Sequence, residues 1–131
     1  MSDTLEPQTF QVTRADLVRY CGASGDFNVI HWSERLATKV GLPGVIAHGM
    51  YTMALVGRAV TTWAGAPDAV VEFSVRFSRP VPVPDTDEGT EVVVSGVVKE
   101  VTADGLTKLN LTATCNGEKV LSLAQATIRK R

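Results

Sequence analysis

The segment from Gly49 to Trp63 constrains the fold more than any other stretch of the chain. Met50, Tyr51, Met53, Ala54, Leu55, Val56, Ala59, Val60 and Trp63 cover almost every face of one helix, and Arg58 is its only charge. A helix of this kind is expected to be buried on most faces. It falls short of the roughly 20 apolar residues that cross a bilayer, so its cover has to be protein. The second half of the chain supplies that cover as strands. Val71, Phe73, Val75 and Phe77 alternate with Glu72, Ser74, Arg76 and Ser78, the period-two pattern of a strand with one buried face. The run Pro80-Val81-Pro82-Val83-Pro84 stops it. Glu91 to Val101 is rich in valine, Leu109, Leu111, Ala113 and Cys115 alternate with polar residues, and a last strand is expected near Lys119 to Ile128. Asp104-Gly105 and Asn116-Gly117 are the hairpin turns between them.

The first third is read as short helices. Phe10 and Val12 open in extended form; Thr13 and Asp16 then make a capping box with Asp in place of Glu, and Leu17, Val18 and Tyr20 follow as a short apolar face that ends near Gly22 to Gly25. Ser33 is a second N-cap, with Leu36, Ala37 and Val40 at helical spacing before the stop at Gly41 and Pro43. An antiparallel meander with one apolar helix lying across it makes an α+β domain. A sheet wrapped around a central helix in this way is a hot-dog fold. No internal repeat divides the chain, and the one composition shift, near Ala66 to Ala69, separates helix-forming from strand-forming sequence. Residues 1–131 are therefore read as one domain. A chain of 131 residues, 44% hydrophobic, buries roughly two thirds of its unfolded surface, and a ligand cavity would take much of that core.

Thirteen Lys and Arg against fourteen Asp and Glu leave a formal charge of -1, without the basic field that draws a protein to nucleic acid or an anionic membrane. Met1 to Phe10 carries acids where a secretory signal has a basic region, and no stretch spans a bilayer, so a cytoplasmic protein is expected. Cys21 and Cys115 are far apart, without a CxxC and with only two histidines in the chain. They read as plain buried thiols, with neither a disulfide framework nor a zinc site. Arg129, Lys130 and Arg131 read as a fraying tail.

Polar chemistry concentrates in Ser24-Gly25-Asp26-Phe27-Asn28-Val29-Ile30-His31. Asp26 and His31 are five positions apart, a spacing that does not stack on one helix face, so they converge only if the segment turns. Gly25 and Asn28 suit such a turn. The pair is a candidate acid/base couple; the plainer alternative is that Asp26 and Asn28 brace a loop while His31 starts a helix. The second feature is His48-Gly49-Met50 at the entrance of the apolar helix. Free N–H groups and the positive dipole end lie there, and a glycine lets an oxygen approach the backbone closely. His48 is either a second catalytic imidazole or, as favoured here, a structural ring bonded to backbone.

These residues resemble the MaoC-like dehydratases, also called (R)-specific enoyl-CoA hydratases or hydratase 2. The family signature is an aromatic residue, a short spacer, then S-G-D-x-N-P-[apolar]-H, matched by Tyr20, Ser24, Gly25, Asp26, Asn28, Ile30 and His31. Val29 stands where the family has proline, which relaxes the restriction on its own backbone and on that of Asn28. An H-G-M is matched by His48, Gly49 and Met50, and an R-F-x-x-P-V by Arg76, Phe77, Pro80 and Val81. Within the family, Ile30-His31-Trp32 and the Val-Pro-Val-Pro run look like those of (3R)-hydroxyacyl-ACP dehydratases. The resemblance implies a hot-dog fold and reversible addition of water to a trans-2-enoyl thioester, giving a (3R)-hydroxyacyl thioester, without metal or redox cofactor. It implies that Asp26 and His31 act jointly on the water, that Asn28 holds loop and water, and that the Gly49 N–H is the oxyanion donor. Ser24, Tyr20 and His48 would complete the substrate-binding surround. The implied substrate is an acyl-CoA or acyl-ACP thioester, and the implied assembly a homodimer or a heterodimer with a second hot-dog subunit. Alternative readings are a hot-dog thioesterase and a non-catalytic acyl-thioester-binding subunit. Met53 and Val56 would line an acyl tunnel or fill core, and Arg58, Arg76 and Arg79 would meet phosphates or an acidic carrier surface, or lie solvated.

Overall fold

The computed structural model describes residues 3–129; Lys130 and Arg131 of the basic tail lie outside the described residues. The elements in chain order are β1 (Thr4–Val12), α1 (Arg14–Ser24), α2 (Glu34–Lys39), α3 (Gly49–Ala64), β2 (Val70–Phe77), β3 (Thr90–Val101), β4 (Leu106–Cys115), β5 (Glu118–Lys119) and β6 (Leu121–Arg129), with 3-10 turns at Val29–His31 and Pro67–Ala69. The strands form one antiparallel sheet in the order β1-β3-β4-β6-β2, with β5 paired to β4.

Both capping expectations hold. The Thr13 hydroxyl accepts from the Asp16 N–H while the Asp16 carboxylate accepts from the Thr13 N–H at 2.9 Å, and Ser33 Oγ accepts from the Leu36 N–H at 3.2 Å. Each cap of this kind contributes about 1 kcal/mol to its helix. The hairpins also fall where glycine chemistry predicts, with Gly105 at φ +86° and Asn116 and Gly117 at +53° and +78°, the left-handed backbone a tight hairpin needs. In β4, Thr107, Leu109, Leu111, Ala113 and Cys115 all point to the buried face. Val92 and Val94 of β3 do the same opposite Cys115 and Ala113. Leu55, Val56, Ala59 and Val60 of α3 join them in the core cluster.

The helix α3 is covered on most faces: Thr52, Leu55, Val56, Ala59, Val60 and Ala64 are buried and Tyr51, Met53, Gly57 and Trp63 half-buried, leaving one exposed stripe along Met50, Ala54, Arg58 and Thr62. One expectation needs correction. It concerns β2, whose apolar set is only partly covered: Phe73 and Val75 pack on the core, but Val71 and Phe77 are exposed. This strand lies at the end of the sheet order and pairs with β6 alone. A bulge at Leu123, φ +48°, shifts its register between Ser74 and Arg76, the usual bend of an edge pair.

Candidate active site

The segment after α1 turns because its polar side chains replace backbone ladders. Gly25 takes the left-handed cap at φ +78° and donates its N–H to the Cys21 carbonyl. Ser24 Oγ donates to the Tyr20 carbonyl at 2.7 Å and accepts from the Asp26 N–H at 3.1 Å. Asp26 Oδ1 accepts from the Asn28 N–H at 3.2 Å, and Asn28 Oδ1 caps the 3-10 turn by accepting from the Ile30 N–H at 3.3 Å. Trp32 Nε1 closes the loop with a 2.9 Å bond to the Phe27 carbonyl. Three consecutive side-chain-to-backbone bonds of this type compete with helix and hold a compact turn. Val29 in the place of proline therefore does not open the loop.

The turn brings the expected pair together. His31 Nε2 lies 4.0 Å from Asp26 Oδ2. The other ring nitrogen, Nδ1, sits 2.8 Å from the Ile46 carbonyl. A carbonyl only accepts, so Nδ1 carries a proton and Nε2 is the ring nitrogen turned toward Asp26. A carboxylate oxygen and an imidazole nitrogen thus face one another 4.0 Å apart, close enough for a water beside the line joining them to hydrogen-bond to both. Asp26 is half exposed and His31 nearly buried, so one member meets solvent while the other is held from behind.

The His48 ring is bonded to backbone, as one of its two readings expects. It is 1% exposed, and its Nε2 donates to the Asp26 carbonyl at 3.1 Å, tying the entrance of α3 to the loop. It stacks on His31 with ring centres 3.8 Å apart and meets the edge of Tyr20 at 4.7 Å. Nδ1 of His48 has no hydrogen-bond partner among the described residues. Burial pushes the His48 imidazolium down in pKa, against an upward pull from the Asp26 carbonyl. Burial, with the Asp26 charge nearby, raises that of the adjoining Cys21 thiol, whose sulfur is 3.6 Å from His48 Nε2.

Asp26, His31 and His48 offer ligand atoms within 4.8 Å of one another, but the two imidazoles are only 22° from parallel. Their in-plane lone pairs run side by side and do not converge on one ion at the roughly 2.0–2.1 Å that a metal–imidazole bond requires.

Gly49 is the first residue of α3, so its N–H belongs to the group of helix-start donors without an intrahelical acceptor. An open, mostly apolar cavity of about 480 Å³ is lined by His31 and Gly49 together with Ile30, Ile46, Phe77 and Leu121. A Cβ on Gly49 would stand 3.1 Å from the Phe77 ring. Of the remaining residues singled out, Val56 is fully buried core and Met53 half-buried. Arg79 pairs with Glu118 at 3.6 Å, and Arg58 lies 5.1 Å over the Phe10 ring. Sequence reasoning missed the Ile46 carbonyl and the Phe77 contact, since a main-chain acceptor leaves no side-chain signature and the Phe77 contact joins distant segments.

The chain is similar to known proteins in sequence and in fold. A family model described as "MaoC like domain" matches residues 2–114. The chain is 45% identical over 76 residues to 3-hydroxyacyl-thioester dehydratase X of Mycobacterium tuberculosis, covering 58% of this chain and 26% of that protein. It is 29% identical over 121 residues to 3-hydroxybutyryl-CoA dehydratase of Methylorubrum extorquens, covering 91% of this chain and 73% of that protein. A solved structure titled MaoC-like dehydratase superposes with a TM-score of 0.94 at 37% identity, over 100% of this chain and 40% of that one. The chain thus spans about a quarter of the mycobacterial relative and two fifths of the solved structure.

Proposed function

The chain belongs to the MaoC-like domain family, and on that premise we propose that it catalyses the reversible hydration of a trans-2-enoyl thioester to a (3R)-3-hydroxyacyl thioester. The observation that carries this reading is the opposition of Asp26 Oδ2 and His31 Nε2, 4.0 Å apart, with His31 lining the same apolar cavity as the first residue of α3. A water held by Asp26 and His31 adds its oxygen to C3 and gives up one proton to that pair. The electron pair of the double bond moves onto the thioester oxygen, where the Gly49 N–H stabilises the charge. Collapse of that enolate takes a proton from the same pair at C2, so one water is added in total; dehydration runs the same steps backward. Asn28 holds the loop and water, His48 holds the Asp26 carbonyl, and Ser24 and Tyr20 support the turn from α1.

The acyl chain enters along Ile30, Ile46 and Phe77, with CoA or an acyl carrier protein outside. The relatives named for 3-hydroxyacyl-thioester and 3-hydroxybutyryl-CoA substrates support a thioester in this site. The assembly is a homodimer or a heterodimer with a second hot-dog unit, and the outer edge of β2, paired with β6 alone, supports that pairing. No helix among the described residues is long and apolar enough to cross a membrane; a cytoplasmic setting fits two buried thiols not joined in a disulfide.

The test is the enoyl absorbance of crotonyl-CoA and of a longer trans-2-enoyl-CoA with the purified protein, thiol release being followed in parallel. Loss of the enoyl band without thiol, abolished in Asp26→Asn, is the expected result. Thiol release with the enoyl band intact would overturn the reading in favour of a thioesterase.

A further inference from the structure

The Ile46 carbonyl decides which nitrogen of His31 carries the proton, so whatever holds Ile46 also governs the acid/base pair. Its segment has little regular structure, a single bridge to Pro82 flanked by Ala47 N–H to Val81 O at 2.9 Å and Val83 N–H to Val45 O at 3.0 Å. Next to that bridge stands Glu34, the first residue of α2. Its Oε1 accepts from the Val45 N–H at 3.0 Å, and its Oε2 pairs with Arg14 Nη2 at 2.7 Å. The Arg14 Nε–H in turn donates to the Val83 carbonyl. One carboxylate and one guanidinium thereby clamp both strands of the bridge, from α2 and from the start of α1. Gly44 belongs to the same arrangement, because a Cβ there would collide with Glu34 Oε1.

We propose that Glu34 and Arg14 are positioning residues for His31, acting through the Val45–Ile46 backbone to keep the imidazole protonated at Nδ1 and its Nε2 lone pair turned toward Asp26. The competing state is close at hand. If the Ile46 carbonyl withdraws, the nearby Asp26 carboxylate favours a proton on Nε2, and the acceptor that takes the water's proton becomes a donor. Arg14 pairs bidentately in effect, one N–H to the carboxylate and one to the carbonyl, a fork that lysine cannot reproduce. The consequence for rate rests on the hydratase reading above; the consequence for the tautomer does not.

The chain has two histidines, so both imidazoles are separately readable in a nitrogen-15 histidine spectrum, with His48 as internal reference. The wild type is expected to show His31 protonated at Nδ1. Glu34→Ala and Arg14→Ala are expected to move His31 toward the Nε2-protonated form while His48 stays as it was. With an enoyl thioester, kcat falls about ten- to a hundredfold while KM stays within about twofold. Glu34→Gln keeps an acceptor for the Val45 N–H and is expected to retain the tautomer in large part. Lys108→Ala, which removes an exposed ion pair with Glu100 on the sheet, is expected to move neither reading. Should Glu34→Ala fail to fold, Gly44→Ala displaces the same carboxylate without removing it. A lowered melting temperature with the His31 tautomer unchanged would overturn the proposal. An altered tautomer in a protein whose wild type hydrates nothing would support the positioning role and sink only the reaction.

Discussion

The imidazole of His31 lies face to face with that of His48, centres 3.8 Å apart and planes inclined by 22°, and each ring donates one N–H to a main-chain carbonyl. His31 uses Nδ1 on Ile46, and His48 uses Nε2 on Asp26. Opposite nitrogens are thus spoken for in two stacked rings. The nitrogen left over on His31 faces the Asp26 carboxylate, whereas the one left over on His48 is buried without a partner among the described residues. A proton taken up by His48 would therefore place a charge in a dry site beside another imidazole.

That asymmetry has a pH consequence. The folded His48 binds its proton less readily than an ordinary histidine, chiefly because of burial. The unfolded chain takes up a proton first as pH falls below about 6.5, so stability is fully present above that value and is lost as pH falls toward the lower folded value. Urea midpoints of wild type and His48→Gln from pH 8 to pH 5 test this. The wild-type midpoint is expected to drop more steeply below pH 6.5 than that of the variant; parallel curves would refute the assignment.

Asp26→Asn and His31→Ala are each expected to slow enoyl hydration about 10²- to 10⁴-fold, the range for losing one acid/base group. Asp26 is half exposed and its Oδ1 accepts one local N–H, so the melting temperature of Asp26→Asn should stay within a few degrees of wild type. Near-normal turnover in either variant rules the pair out as the reacting groups.

Gly49→Ala pushes a methyl group against the Phe77 ring at about 3.1 Å. That ring is 54% exposed and free to move outward, so the stability cost should be about 0.5 kcal/mol or less, the range of ordinary surface changes. The rate should fall more, because the methyl narrows the approach to the helix start. Phe77→Leu combined with Gly49→Ala is expected to recover part of it, and rates that simply multiply across the two single variants would disprove the contact.

Leu17 is completely buried on α1, between the capping box and the Tyr20–Ser24 turn. Leu17→Ala is expected to cost about 2–5 kcal/mol in chemical denaturation. A smaller cost would mean that α1 is held mainly by its polar contacts.

Much of this architecture was legible in one dimension. The capping box at Thr13 and Asp16, the Ser33 cap, the Gly105 turn and the Asn116-Gly117 hairpin all depend on residues a few positions apart. Side-chain and backbone preferences act at that range without help. The convergence of Asp26 and His31 belongs partly here, since Gly25, Ser24 and Asn28 bend the intervening loop through bonds spanning two to four residues. The family motif then picked out the pair from a segment whose plainer reading was a braced loop.

What the amino-acid sequence determined by itself is therefore the local: most of the helices and strands and their caps and turns, though not the full length of β1, which begins at Thr4, and that Asp26 and His31 flank a segment able to turn. The tertiary structure alone decided which nitrogen of His31 is free, because the deciding carbonyl, Ile46, is fifteen residues away and any residue type there offers the same oxygen. It decided that Phe77 stands over Gly49 and that β2 ends the sheet, because an apolar alternation states that a face needs cover and not what covers it. It also left the Met50, Ala54, Arg58 and Thr62 stripe of α3 open, because a single sheet does not reach the far side of a helix.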